Sequence, residues 1–130
     1  MVTKEREVFK RSRSEAPRRK RDGLVSRVLL GGRDLPETRL TVTWVEVAPG
    51  SGQRPHSHAP EQVYVIVGGR GKMKVGGEER EVMEGDLIHI PPDIVHGIEN
   101  PSDEVLTYVS AATPAVDWEA FYETGPPRAG

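Results

Sequence analysis

Hydrophobic and polar residues alternate along much of the chain with the two-residue period of a β-strand. The clearest case is residues 39–47, where Thr41, Thr43, Val45 and Val47 share one face and the residues between them share the other. Further strands are predicted at residues 24–30, 63–67, 71–75, 79–82, 87–90, 94–99 and 105–111. About eight or nine short strands separated by glycine- and proline-containing turns indicate an all-β fold, either a small β-barrel or a jelly roll.

Residues 116–123 form the only stretch with a helical pattern. Asp117 is a suitable N-cap, and Trp118, Phe121 and Tyr122 recur at helical spacing before a Gly-Pro-Pro sequence ends the pattern. We expect one short C-terminal helix whose aromatic stripe packs against the strands.

The charge is distributed unevenly along the 130 residues. Residues 1–21 carry nine Lys/Arg and three Asp/Glu, although the whole chain has a net charge of −2. We therefore expect residues 1–22 to be a basic N-terminal arm, either an added edge strand near Val8 or a partly disordered segment, and residues 23–130 to be a single domain. Phe9 is the arm's only aromatic residue and no recognition-helix pattern follows, which argues against nucleic-acid binding. An arm lying against the acidic body of this subunit or of a second one is the preferred interpretation.

Composition excludes several other classes of protein. There is no cysteine, so neither disulfides nor thiolate metal sites can form, and a reducing cytoplasm is the expected compartment. No apolar run is long enough to span a membrane, and the N-terminal residues lack the apolar core of a secretory signal.

Two histidines, His56 and His58, stand two positions apart just before the predicted strand 63–67. Residues at i and i+2 of an extended chain project to the same side, so the two imidazoles can bind one ion. Gln62 keeps the same parity, although Pro60 intervenes. Taken alone, the His-Ser-His sequence is better explained as a polar turn before the strand, because two-histidine matches are common by chance.

A second polar stretch follows after a Gly-Gly hairpin turn, and the two stretches together resemble the paired motifs of the cupin superfamily. The first motif, G-x5-H-x-H-x3,4-E-x6-G, fits from Gly50 through both histidines to Gln62. The second, G-x5-P-x-G-x2-H-x3-N, fits from Gly85 through Pro91 and His96 to Asn100. The sequence departs from these motifs at two positions: Asp93 replaces a glycine, where a positive φ is often needed and Asp tolerates it, and Gln62 replaces the usual glutamate.

The resemblance implies a cupin-like conical β-barrel, or double-stranded jelly roll, that holds one divalent transition metal. The implied ligands are His56, His58, Gln62 and His96, with Glu61 as the alternative to Gln62 if the register shifts. Imidazole and amide ligands accept Mn, Fe, Ni, Zn or Cu. Because such a ligand set is neutral, it leaves the full +2 charge on the ion and favours a small, anionic, oxygenated ligand.

Three other polar residues lie near the motifs. Tyr64 shares the parity of Gln62 and is a candidate catalytic or substrate-contacting residue, although core packing also explains it. Glu61 is a candidate catalytic residue or a partner that orients a histidine, or simply a solvated charge. His89 is expected to face away from His96.

Three functional classes remain open. The preferred one is a metal-dependent cupin enzyme acting on a small oxygenated or sugar-acid-like substrate by isomerase, lyase or dioxygenase chemistry. The alternatives are a non-catalytic ligand-binding or sensor module, and a barrel whose metal is only structural. A homodimer formed through the N-terminal strands is expected, mostly from the resemblance, because an exposed edge strand is commonly covered by a second subunit.

Overall fold

The computed structural model describes residues 7–118, about half of which lie in antiparallel strands joined by turns and loops. A short 3-10 helix, Arg13–Glu15, precedes nine strands. The strands are β1 (Arg18–Arg21), β2 (Leu24–Leu30), β3 (Thr41–Val47), β4 (Glu61–Gly68), β5 (Arg70–Val75), β6 (Glu78–Met83), β7 (Leu87–Ile90), β8 (His96–Glu99) and β9 (Leu106–Thr113). The predicted all-β, cupin-like jelly roll is confirmed.

The strands form two sheets. The larger has the order β1-β2-β3-β9-β4-β7 and the smaller the order β6-β5-β8. On β3 the burial alternates residue by residue, with Thr41, Thr43, Val45 and Val47 buried as predicted. The buried apolar core combines side chains of both sheets: Val45, Val47, Tyr64, Ile66, Met73, Val82, Ile90, Ile98, Leu106 and Tyr108.

Predicted strand positions agree closely with the structure, and the differences have local causes. β2 and β7 have the predicted ends. β8 begins at His96 rather than at residue 94, because Asp93 has a φ of 64° and turns the chain while Ile94 and Val95 remain partly exposed. The sequence departure at Asp93 therefore occurs where a left-handed conformation is needed, which aspartate tolerates.

The N-terminal strand lies elsewhere than predicted. Val8 is 90% exposed and belongs to no strand, whereas the basic run Arg18–Arg21 forms β1 and pairs antiparallel with β2. A run of four cations gives no strand signal by itself, and its conformation is set by backbone pairing with a neighbour.

The predicted Gly-Gly hairpin is present between β5 and β6. β5 and β6 are joined by Gly76 and Gly77, and Gly76 adopts the positive φ, 59°, that the tight turn requires.

Of the predicted helix, only residues 116–118 fall within the described part of the chain. In residues 7–118 no helix has the length and apolar character needed to cross a membrane.

Candidate metal centre

Two histidines that are distant in the sequence are joined by a single antiparallel bridge. His56 lies in the loop before β4, and His96 is the first residue of β8. The N–H of His56 donates to the carbonyl of His96 over 2.9 Å, and the N–H of His96 donates to the carbonyl of His56 over 2.8 Å. Gly97 permits this approach, because a Cβ there would lie 3.0 Å from the carbonyl oxygen of Gln53. The bridge fixes the two imidazoles relative to each other.

The other two predicted ligands are positioned by the turn before β8 and by β4. The N–H of Asp93 donates to the carbonyl of His58 over 2.8 Å, which ties this loop to the turn. Gln62 is the second residue of β4 and its side chain is buried on the inner face. The structure thus brings together all four predicted ligands, His56, His58, Gln62 and His96.

The three imidazoles form a buried triangle. Ring centroids are 4.5 Å apart for His56 and His96, 4.8 Å for His58 and His96, and 5.6 Å for His56 and His58. One ring nitrogen from each residue lies within 4.8 Å of the others, a separation suited to a shared ion. We call these three residues the histidine cluster.

Backbone hydrogen bonds determine which nitrogen of each ring faces inward. Nδ1 of His56 is 2.8 Å from the carbonyl oxygen of Arg54, Nδ1 of His58 is 3.0 Å from that of Pro60, and Nδ1 of His96 is 2.9 Å from that of Ile94. Since a carbonyl oxygen can only accept, each Nδ1 carries the proton. In the neutral tautomer every Nε2 then has a lone pair available for a metal.

Two observations indicate that a cation fits among these lone pairs. Nε2 of His96 is buried and has no hydrogen-bond partner within the described residues. Nε2 of His58 is 3.0 Å from Oε1 of Gln62, so two acceptors face each other unless the amide is reversed. A metal ion bound by both atoms removes this conflict, because ligands about 2.1 Å from one ion can lie about 3 Å apart.

Burial keeps two members of the cluster, His56 and His96, in the unprotonated form that a metal needs. Desolvation lowers the pKa of His96 from 6.5 to about 4, against the opposing effect of its hydrogen bond to Ile94. Desolvation also lowers the pKa of His56. Both imidazoles are therefore neutral at pH 7, and protons compete little with a metal there.

Glu61 does not reach the histidine cluster. It begins β4 with its side chain on the outer face, half exposed, and its Oε2 is 2.6 Å from Nε2 of His89. The alternatives that placed Glu61 as the fourth ligand or as a catalytic residue therefore disagree with this geometry, because its side chain has the opposite parity to Gln62. His89 faces outward, as expected.

Tyr64 lies deeper in the same cavity. It is 1% exposed, stacks on Tyr108 with a centroid separation of 4.2 Å, and has its ring edge toward His96 at 6.3 Å. Its hydroxyl donates to Oε1 of Gln53 over 2.8 Å. Sequence reasoning missed Gln53, which lies in an irregular loop where neither parity nor a motif position draws attention to it.

A cavity of about 690 Å³ connects these residues to the surface. His56, His58, Gln62 and Tyr64 line it, and the rest of its wall combines apolar side chains with charged ones, including six arginines. Trp118, a member of the predicted aromatic stripe, lines this cavity, with its ring centroid 5.2 Å from that of His58.

The fold and the paired motifs define a cupin. The sequence matches the cupin domain family over residues 43–112, just over half of the chain, and this protein belongs to that family. The match spans both motifs and the hairpin between them.

Three similar proteins illustrate the range of the family. An uncharacterized protein of Methanocaldococcus jannaschii, MJ1618, is 33% identical over 76% of this chain and 80% of its own length. Dimethylsulfoniopropionate lyase DddW of Ruegeria pomeroyi is 28% identical over 71% of this chain and 62% of its own length. Oxalate decarboxylase of Bacillus subtilis, in a structure from a study of its Mn(II) centres, has a TM-score of 0.75 and 22% identity, covering 84% of this chain and 30% of that one. The last comparison supports the fold alone.

Proposed function

We propose that this protein is a metal-dependent cupin enzyme acting on a small, anionic, oxygenated molecule. The observation that carries the proposal is the convergence of three histidine rings and the amide oxygen of Gln62 in one buried cavity. His56, His58, His96 and Gln62 would hold a divalent transition metal.

The charge of the ligand set favours an anionic substrate. Neutral imidazoles and a neutral amide leave the full +2 charge of the ion uncompensated, whereas a carboxylate ligand would reduce it to +1. When bound, the metal supplies Lewis-acid activation of a coordinated oxygen and orients the substrate. A carboxylate or enolate is therefore the preferred partner of this site.

Tyr64 is the proposed substrate-contacting residue. Its hydroxyl lies in the cavity and is oriented by Gln53, so it can bind a polar group of a molecule held at the histidine cluster. Its ring is fixed by the stack on Tyr108. Glu61 is not included in this role because it faces outward.

Lyase chemistry on a small carboxylate is the first activity to test. The relative from Ruegeria pomeroyi is a lyase of dimethylsulfoniopropionate by name, and that molecule carries one carboxylate. The carboxylates dimethylsulfoniopropionate, oxalate and an unsaturated uronate form a useful initial panel, with product formation followed by nuclear magnetic resonance. Oxygen consumption in the same panel tests dioxygenase chemistry.

Element-specific metal analysis of the untagged protein tests the metal site itself. We expect near-stoichiometric divalent metal in the wild type, and occupancy at least about tenfold lower in His56→Ala and His96→Ala, since each removes an inward-facing imidazole. His89→Ala is the matched control, because it removes a histidine that faces outward and contacts Glu61. Manganese is the first metal to add back, given the Mn(II) centres of the oxalate decarboxylase with the same fold.

A wild-type protein that holds no metal, and gains no thermal stability when divalent ions are added, would contradict the metalloenzyme proposal. Metal binding without turnover of any substrate in the panel would instead favour the alternative, a ligand-binding or sensor module built on the same site.

We also propose a homodimer formed through the N-terminal edge. β1 is the outermost strand of the larger sheet, and an uncovered edge can pair with a second chain. Light scattering coupled to size-exclusion chromatography tests this, and a monomeric mass would contradict it.

A further inference from the structure

A short C-terminal segment lies across the cavity. Residues 114–118 follow β9, and Ala115, Val116, Asp117 and Trp118 all line the cavity wall. We call residues 114–118 the strap.

The inner part of the strap is held by a buried threonine. The hydroxyl of Thr41 donates to the carbonyl of Val116 over 3.1 Å, and the N–H of Val116 donates back to the same hydroxyl oxygen over 2.9 Å. Thr41 is opposite Ala112 in the sheet, and Ala112 is opposite Gln62. The strap is therefore fixed to the cross-strand row that carries the amide ligand.

The outer part of the strap is held by an ion pair at the surface. Nε and one terminal nitrogen of Arg33 both donate to Oδ2 of Asp117, over 3.1 and 2.8 Å. Arg33 lies in the loop between β2 and β3 and also lines the cavity, so the contact joins the strap to that loop. An exposed ion pair of this kind contributes little stability, so this attachment of the strap is weak.

Immediately after these two attachments, Trp118 lies beside His58 of the histidine cluster. Its ring centroid is 5.2 Å from that of His58, with an angle of 57° between the planes. Because Trp118 is so close to this imidazole, a molecule bound at the histidine cluster beside His58 must lie against the Trp118 ring.

We propose that the strap closes the cavity over the histidine cluster, and that Trp118 is the wall that limits the size of the anion admitted beside His58. The inference rests on the proposed metal-dependent function, to which it adds a specificity-determining residue. A rigid indole against the site narrows the space beside His58, so a bulky carboxylate is bound there less well than a small one.

Tryptophan fluorescence tests the position of the strap without reference to activity. The chain has two tryptophans, Trp44 and Trp118. Trp44 is on the outer face of β3, where its Nε1 donates to Glu46. Copper(II) quenches tryptophan fluorescence at short range. We expect one equivalent of it to remove most of the emission of the Trp44→Phe variant, whose only tryptophan is Trp118. The same addition should leave most of the emission of the Trp118→Phe variant.

Carboxylate selectivity tests the role of the wall. Dissociation constants of acetate and benzoate are measured by calorimetry on the metal-loaded protein. In Trp118→Ala we expect the affinity for benzoate relative to acetate to rise at least about tenfold over the wild type, as the loss of an indole enlarges the site. Trp44→Ala is the control, with an unchanged ratio because that ring is outside the cavity.

The results separate the two proposals. Bound metal with no quenching specific to Trp118, or with an unchanged benzoate-to-acetate ratio in Trp118→Ala, would overturn the role of the strap and leave the metal site intact. Absence of bound metal in the element analysis would overturn the proposed function and this inference with it.

Discussion

Backbone carbonyls orient the three imidazoles. Each Nδ1 donates to the carbonyl of a residue two positions away, Arg54 for His56, Pro60 for His58 and Ile94 for His96. A carbonyl partner fixes the tautomer without adding a formal negative charge to the ring it contacts. The identity of the residue at position 62 should therefore control how much positive charge a bound metal presents to a ligand.

Replacing Gln62 by glutamate should weaken the binding of anions to the metal-loaded protein. The carboxylate would cancel one unit of charge on the ion, and at these distances we expect at least about a tenfold loss, or ~1.4 kcal/mol. Calorimetric titration of acetate into metal-loaded wild type and Gln62→Glu measures the effect.

Gln53→Glu is the matched control for this substitution. It adds the same charge to the same cavity, but at the residue that accepts from Tyr64 and not among the proposed metal ligands. If the two variants lose the same amount of acetate affinity, the added negative charge acts through the cavity in general. Gln62 would then not be a metal ligand.

The residues with a fixed spacing could be predicted from the sequence, whereas those that reach the site from irregular segments could not. His56, His58 and Gln62 share one parity beside a strand, and His96 follows from the second motif. Gln53 contacts Tyr64 only because its loop lies against β8, and Trp118 contacts His58 only because the strap crosses the cavity. Neither contact has a periodic pattern, and the second lies outside both motifs.

At the level of the elements, strand prediction succeeded where one face is buried. β3 alternates because its inner face belongs to the core, and the turn at Gly76 needs a residue that tolerates positive φ. β1 was placed wrongly because its Arg-Arg-Lys-Arg sequence resembles a solvated arm, and only pairing with β2 makes it a strand.

The turn between β8 and β9 depends on one buried asparagine. Nδ2 of Asn100 donates to the carbonyls of Val47 and Glu104, and its Oδ1 accepts from the N–H and hydroxyl of Ser102. The side chain thus joins the end of β3 to this turn, which explains why the second motif ends at Asn100.

Asn100→Ala should destabilise the protein by about 3 kcal/mol, because it leaves buried carbonyls without a donor. Chemical denaturation of the metal-free protein measures the change without any contribution from metal binding. Ser102→Ala is the control, since it removes only a hydroxyl from the same network and should cost about 1 kcal/mol. A loss in Asn100→Ala no larger than in Ser102→Ala would contradict the structural role of the amide.

At the level of the whole molecule, the fold keeps His56 and His96 unprotonated against an apolar core. Tyr64, Tyr108 and Val45 belong to the core cluster and also line the cavity, so the same packing that stabilises the sheets desolvates the histidines. This desolvation lowers the pKa values of His56 and His96. The stability of the fold and the affinity of the site for a metal therefore both depend on pH through His56 and His96.

The metal-free protein should lose stability as the pH falls from about 6.5 toward 4. The folded-state pKa of His96 is lowered from 6.5 to about 4, so between these values the unfolded chain binds more protons, and the free energy of unfolding rises with pH. At ~1.4 kcal/mol per pKa unit, His96 alone should make the protein roughly 3 kcal/mol less stable at pH 4 than at pH 7. Urea denaturation across this range measures the slope, and His96→Gln, which cannot titrate there, should flatten it by that amount. Parallel curves for the two proteins would show that His96 is not held neutral by burial, and that acid sensitivity arises from other groups.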